Sequence, residues 1–187
     1  MERLGRPSVG MDYVTRHNNA STKYSGPWAV VSWSGERNVS CNNAMNGYGI
    51  CLFANDSTYE GYMLNDMMHD PKAKLIDKDS NSVYHGGFVE DRREGAAMFE
   101  HPFGKYEGEY LNNKRHGTGR ETDMNGNSFT GRFENGDAVE GKMEYADGSV
   151  YIGTMKDDSR EGRGKLLTED GDVIEGVWEN DELVQKL

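Results

Sequence analysis

Residues 106–126, Tyr106-Glu-Gly-Glu-Tyr110 followed by Asn112-Asn-Lys-Arg-His-Gly-Thr-Gly119 and then Asn125-Gly126, set the reading of the whole chain. In an extended segment successive side chains alternate sides, so Tyr106, Gly108 and Tyr110 share one face while Glu107 and Glu109 share the other. The tract 112–117 reads as a turn, and the residues after Gly119 run back as a second strand. That strand ends at Asn125-Gly126, a two-residue turn signal. One such stretch is one β-hairpin.

The same ring-glycine-ring pattern recurs along the chain. It stands at Tyr59-Gly61-Met63, Tyr84-Gly86-Phe88, Phe129-Gly131-Phe133 and Tyr151-Gly153-Met155, and weakly at Ile174-Gly176-Trp178. The central glycines are spaced by 25, 22, 23, 22 and 23 residues. Gly162-x-Gly164 with Asp170-Gly171 repeats the downstream glycines in phase. A fixed period of this length marks a stack of supersecondary units, each unable to bury its apolar face alone.

These residues resemble the MORN repeat family, over residues 36–187. The resemblance implies an all-β fold, an elongated single-layer antiparallel β-meander of tandem hairpins of about 23 residues. The expected organisation is an N-terminal arm over 1–25, a capping strand over 26–35 and a repeat domain over 36–187. Its units span about 36–58, 59–83, 84–105, 106–128, 129–150 and 151–173, with a half unit at 174–187. Pro71 and Pro102 fall where second strands are expected and cannot donate ladder hydrogen bonds, so a bulge is expected between residues 66 and 82.

Composition narrows the function. Leu, Ile, Val and Phe make up 31 of 187 residues, too few for a large aliphatic core, and the net charge is −11. Residues 1–40 carry five basic and three acidic side chains, leaving −13 on the rest. An acidic body repels phosphate, so nucleic acid is excluded as a default partner and direct membrane contact is disfavoured. No apolar run approaches the roughly 20 residues of a membrane helix.

No arrangement of Ser, Cys and His suggests a nucleophile and its base, so no catalytic residue, cofactor or metal is expected. Asp77-x-Asp79-x-Asn81 begins like a calcium loop, but Ser82 and Phe88 stand where the loop needs Gly and Glu. Cys41 and Cys51 are expected as free thiols in a reducing compartment, with a bridge between them across one hairpin as the alternative. The expected location is intracellular and cytoplasmic, the family resemblance implies a cytoskeletal or ciliary setting, and the arginines at 3, 6 and 16 keep a mitochondrial or other organellar destination open.

Tyr59, Met63, Tyr84, Phe88, Tyr106, Tyr110, Phe129, Phe133, Tyr151, Met155 and Trp178 form the aromatic face. Packing accounts for much of this row, but a one-layer sheet has no second layer, so part of it is expected to stay open as a groove for a helix or extended peptide. The expected function is a non-catalytic scaffold or structural subunit that binds a protein partner there, within a larger assembly. Two alternatives from the resemblance are a phosphoinositide membrane adaptor and a regulatory module for an enzyme on a separate chain. A homodimer through the open C-terminal edge is a further mode of association that such a sheet allows.

Overall fold

Two kinds of tight turn cut this chain into strands. In the first, two successive residues take positive φ: Asn65-Asp66, Glu90-Asp91, Asn112-Asn113, Asn135-Gly136, Asp157-Asp158 and Asn180-Asp181. This is the backbone of a two-residue type I′ hairpin turn, and short polar Asn and Asp side chains tolerate it best. In the second kind, Asp123 N–H donates to Asn127 O at 2.9 Å and Gly126, with φ +92°, donates to Asp123 O at 3.3 Å. Tyr145 to Ser149 and Thr168 to Asp172 close the same way around Gly148 and Gly171.

The sequence reading is corrected here. Asn125-Gly126 is part of a three-residue loop rather than a two-residue turn: Asp123 N–H closes onto Asn127 O, and the Asp123 carboxylate braces the loop by accepting from the backbone N–H of both Asn125 and Asn127. The two-residue turn is Asn112-Asn113, so the second strand starts at Lys114, well before Gly119.

The computed structural model describes residues 28–33, 36–38, 44–53 and 55–187. The arm 1–25 and Cys41 lie outside the described residues. The chain divides into two units, 1–95 and 96–187. In unit 1 the strands are β1 (Trp28–Trp33), β2 (Glu36–Asn38), β3 (Ala44–Phe53), β4 (Thr58–Leu64), β5 (Met67–Met68), β6 (Asp70–Asp77) and β7 (Ser82–Val89). They form an open antiparallel sheet in the order β1-β3-β4-β6-β7, with β2 on β3 and β5 on β4. The division falls within β8 (Arg92–His101).

Unit 2 holds β9 (Gly104–Leu111), β10 (Lys114–Asp123), β11 (Ser128–Glu134), β12 (Asp137–Glu144), β13 (Val150–Lys156), β14 (Ser159–Leu167), β15 (Val173–Glu179) and β16 (Glu182–Lys186). Each pairs antiparallel with the next, as a meander of hairpins. No residue among those described is helical, so both units are all-β and one layer deep. The C-terminal stretch pairs with β15 as a further strand.

Both prolines have a structural outlet. The β6–β7 register slips between Asp70 and Ala73, around Pro71, and the Asp70 carboxylate takes over part of the ladder by accepting from Tyr62 N–H and Lys72 N–H at 2.8 and 2.7 Å. Pro102 sits in the turn between β8 and β9 rather than inside a strand.

Register puts like residues in rows across unit 2. One row of directly paired positions is Gly108, Gly119, Gly131, Gly141, Gly153, Gly164 and Gly176. Beside it runs Tyr106, Glu121, Phe129, Met143, Tyr151, Leu166 and Ile174. Unit 1 has the corresponding row Cys51, Tyr59, Leu75 and Tyr84.

Candidate functional site

The glycine row exists because the rings lie on it. An ideal Cβ on Gly61 would sit 2.5 Å from the Tyr59 hydroxyl oxygen, and Cβ atoms on Gly131 and Gly141 would each sit 2.7 Å from Phe129 Cζ. Tyr106 lies in the same way across Gly108 and Gly119, and Tyr151 across Gly153 and Gly164. Each tyrosine ends on a carbonyl three residues ahead: Tyr59 donates to Tyr62 O (2.7 Å), Tyr84 to Gly87 O (2.9 Å), Tyr106 to Glu109 O (3.0 Å) and Tyr151 to Thr154 O (3.0 Å). The polar tip of each ring is thereby satisfied within its own unit.

Within each unit, successive hairpin repeats interlock through their second rings. Tyr106 meets Phe133 edge-on with centroids 5.1 Å apart, Tyr59 meets Phe88 at 5.8 Å and Tyr151 meets Trp178 at 5.8 Å. Arginine guanidinium groups then roof the rings. Arg93 lies 4.8 Å from the Tyr84 centroid, Arg115 lies 5.2 Å from that of Phe133, and Arg160 lies 4.4 Å from that of Trp178. Such cation–π contacts stabilise by about 0.5–1 kcal/mol each.

The open ring groove expected from the sequence is therefore closed. Tyr59, Met63, Tyr84, Phe88, Tyr106, Tyr110, Phe129, Phe133, Tyr151, Met155 and Trp178 are all buried, none more than 6% exposed. The rings flatten onto glycine, interlock between neighbouring repeats and are covered by arginine, so one layer hides its own aromatic side. Within each unit these residues pack as a core and offer little surface to a partner.

On that side of unit 2 a groove lies above the core. A depression of about 540 Å³ is floored by Met143, Tyr145 and Leu166. One wall carries Asp158, Arg160 and Asp181 beside the two-residue turns, and the other carries Asp147, Ser149 and the loop Thr168–Asp170. Residues from both ends of the strands thus line one hollow. A neighbouring depression of about 300 Å³ continues past Met143 and Asp158 to Phe129, Glu121 and Arg115.

The cations of this groove are already engaged. The Arg160 guanidinium donates to Asp181 Oδ1 at 2.9 Å and to Asp181 O at 2.7 Å, and Arg115 pairs with Glu121 and donates to Gly136 O at 2.8 Å. Burial pushes the Asp181 carboxyl up, but hydrogen bonds from the Arg160 backbone N–H and guanidinium outweigh it and hold it below the ordinary range. Burial raises the Tyr145 phenol, with Arg160 opposing. Arg115, Arg160, Met143 and Leu166 escaped the sequence reading; the signal was an arginine nine residues after Tyr84, Tyr106 and Tyr151.

In unit 1, burial pushes the Cys51 thiol up to about 12. Among the described residues no group of three or more His, Cys, Asp and Glu side chains is placed to hold a metal ion. No helix among them is long and apolar enough to cross a membrane.

The MORN repeat family matches residues 42–58, 106–128, 129–150 and 151–173. The unmatched stretch 59–105 still lays Tyr59 on Gly61 and ties Tyr84 to Gly87 O. No curated protein matches the chain. Among solved structures, the SAS-4 (dCPAP) TCP domain in complex with a proline-rich motif of Ana2 (dSTIL) of Drosophila melanogaster is similar over 69% of this chain and 70% of that one, at 16% identity and a TM-score of 0.43.

Proposed function

The chain is a MORN-repeat protein, and from that premise we propose that it is a non-catalytic scaffold that binds an extended segment of a partner protein in the ring-side groove of unit 2. The observation that carries this reading is the hollow of about 540 Å³ with an apolar floor of Met143, Tyr145 and Leu166, above rings that are themselves sealed. A concave surface with a few convergent polar groups is the usual form of a binding site. The setting implied by the family resemblance is a larger cytoskeletal, ciliary or organellar assembly.

Unit 2 carries 11 basic and 20 acidic side chains, a net −9. That field disfavours the phosphoinositide alternative. Leu166→Ser, in the groove floor, tests the reading against Ile152→Ser, whose position is on the opposite face and 56% exposed. Partners that co-purify with the wild-type chain are expected to be lost from Leu166→Ser and retained by Ile152→Ser; retention by both, with the fold intact, overturns the groove.

A further inference from the structure

We propose that the segment accepted by the unit 2 groove is basic and amphipathic: an extended peptide whose Lys or Arg side chains meet Asp158, Glu169 and Asp170 while its alternate apolar side chains rest on Met143 and Leu166. This deepens the groove reading above and rests on it.

The two depressions together are lined by two arginines and seven carboxylates, a local net charge of −5. Neither arginine is available to an incoming anion, because Arg115 is paired with Glu121 and Arg160 with Asp181. Two of the carboxylates, Asp123 and Asp147, are occupied by their own loops, accepting from Asn125 and Asn127 and from Ser149. Asp158, Glu169 and Asp170 have no hydrogen bond or ion pair among the described residues. They stand on opposite walls of the hollow, Asp158 in a two-residue turn and the other two in a three-residue loop.

The opposite face is different in kind. There Lys105 pairs with Glu107 at 3.0 Å, Lys142 with Glu144 at 2.6 Å and Arg132 with Glu134, so much of its charge is cancelled locally. The uncancelled negative field of unit 2 therefore includes the groove, over its apolar floor. A strand-like ligand alternates its side chains with a period of two, which matches an apolar floor between charged walls. The Tyr145 hydroxyl, with no hydrogen-bond partner among the described residues, stands at the floor to meet the ligand backbone.

The test uses the full chain and fluorescence anisotropy of a labelled synthetic peptide that alternates Arg and Leu. The charge variant Asp158→Asn, Glu169→Gln, Asp170→Asn keeps side-chain size, and Asn tolerates the positive φ of residue 158. Saturable binding is expected, weakening as salt rises and by about tenfold in the charge variant. A peptide alternating Glu and Leu is expected not to bind. Equal binding by that acidic peptide, unchanged binding in the charge variant, or tighter binding to phosphoinositide vesicles than to the Arg-Leu peptide overturns the proposal. If the charge variant binds normally while Leu166→Ser does not, the groove stands and only its preference for basic ligands falls. If neither substitution matters, both fall.

Discussion

The Tyr106 hydroxyl donates to the carbonyl of Glu109 at 3.0 Å, and the bond is possible only because the ring between them lies flat on Gly108 and Gly119. Removing the hydroxyl leaves a carbonyl short of a partner while the packing stays. Tyr106→Phe is expected to lower stability by about 1 kcal/mol, a small change that Phe129 at the equivalent position shows the fold can absorb. Tyr106→Ala, which empties the site, is expected to cost about 3–5 kcal/mol. Urea unfolding of the two variants checks the ratio.

Gly119 is a steric requirement rather than a conformational one. A Cβ there would lie 2.5 Å from the Tyr106 hydroxyl oxygen, so Gly119→Ala is expected to displace the ring and cost more than about 2 kcal/mol. Gly171, with φ +87° and open space around its would-be Cβ, is the contrast. Gly171→Ala is expected to cost only about 1 kcal/mol of backbone strain. Thermal unfolding distinguishes them; equal losses would mean the ring does not rest on the glycine row.

The distance at which each feature operates explains what could be read in advance. Tyr106, Gly108 and Tyr110 reveal a one-sided strand because side-chain alternation is local, and the recurring glycines reveal the hairpin stack. Whether Asn125-Gly126 makes a two-residue turn depends on where the flanking strands pair, and the backbone closes from Asp123 to Asn127 around three residues. Sealing of the rings depends on Phe133 and Arg115 reaching Tyr106 from other strands, which no local pattern reports. Met143 and Leu166 lie in the ring row but in second strands, which lack the ring-glycine-ring pattern.

Stability should fall on the alkaline side. Burial pushes the Cys51 thiol from about 9 up to about 12, and Tyr106 and Tyr151 from 10 up to about 12. A folded-state value above the unfolded one means the native state holds its proton more tightly. The resulting stability is fully present below pH 9 and is lost progressively as pH rises toward 12. Absorbance of tyrosinate should accordingly rise in two steps, exposed rings first and the buried ones only with unfolding. A single step near pH 10 with the fold intact would contradict the sealed core.

The same burial predicts the chemistry of Cys51. It is fully buried opposite Tyr59, and the thiolate is the nucleophile. Iodoacetamide at pH 8 is expected to leave Cys51 unmodified in the native chain and to label it in denaturant, as read by peptide mapping.

Methyl resonances of Met143 and Ile152 during titration with the Arg-Leu peptide test the docking surface most directly, since the two positions lie on opposite faces of neighbouring strands. The Met143 methyl should shift in a saturable manner while Ile152 stays in place. Movement of Ile152 with Met143 unperturbed would put the ligand on the other face and contradict the account.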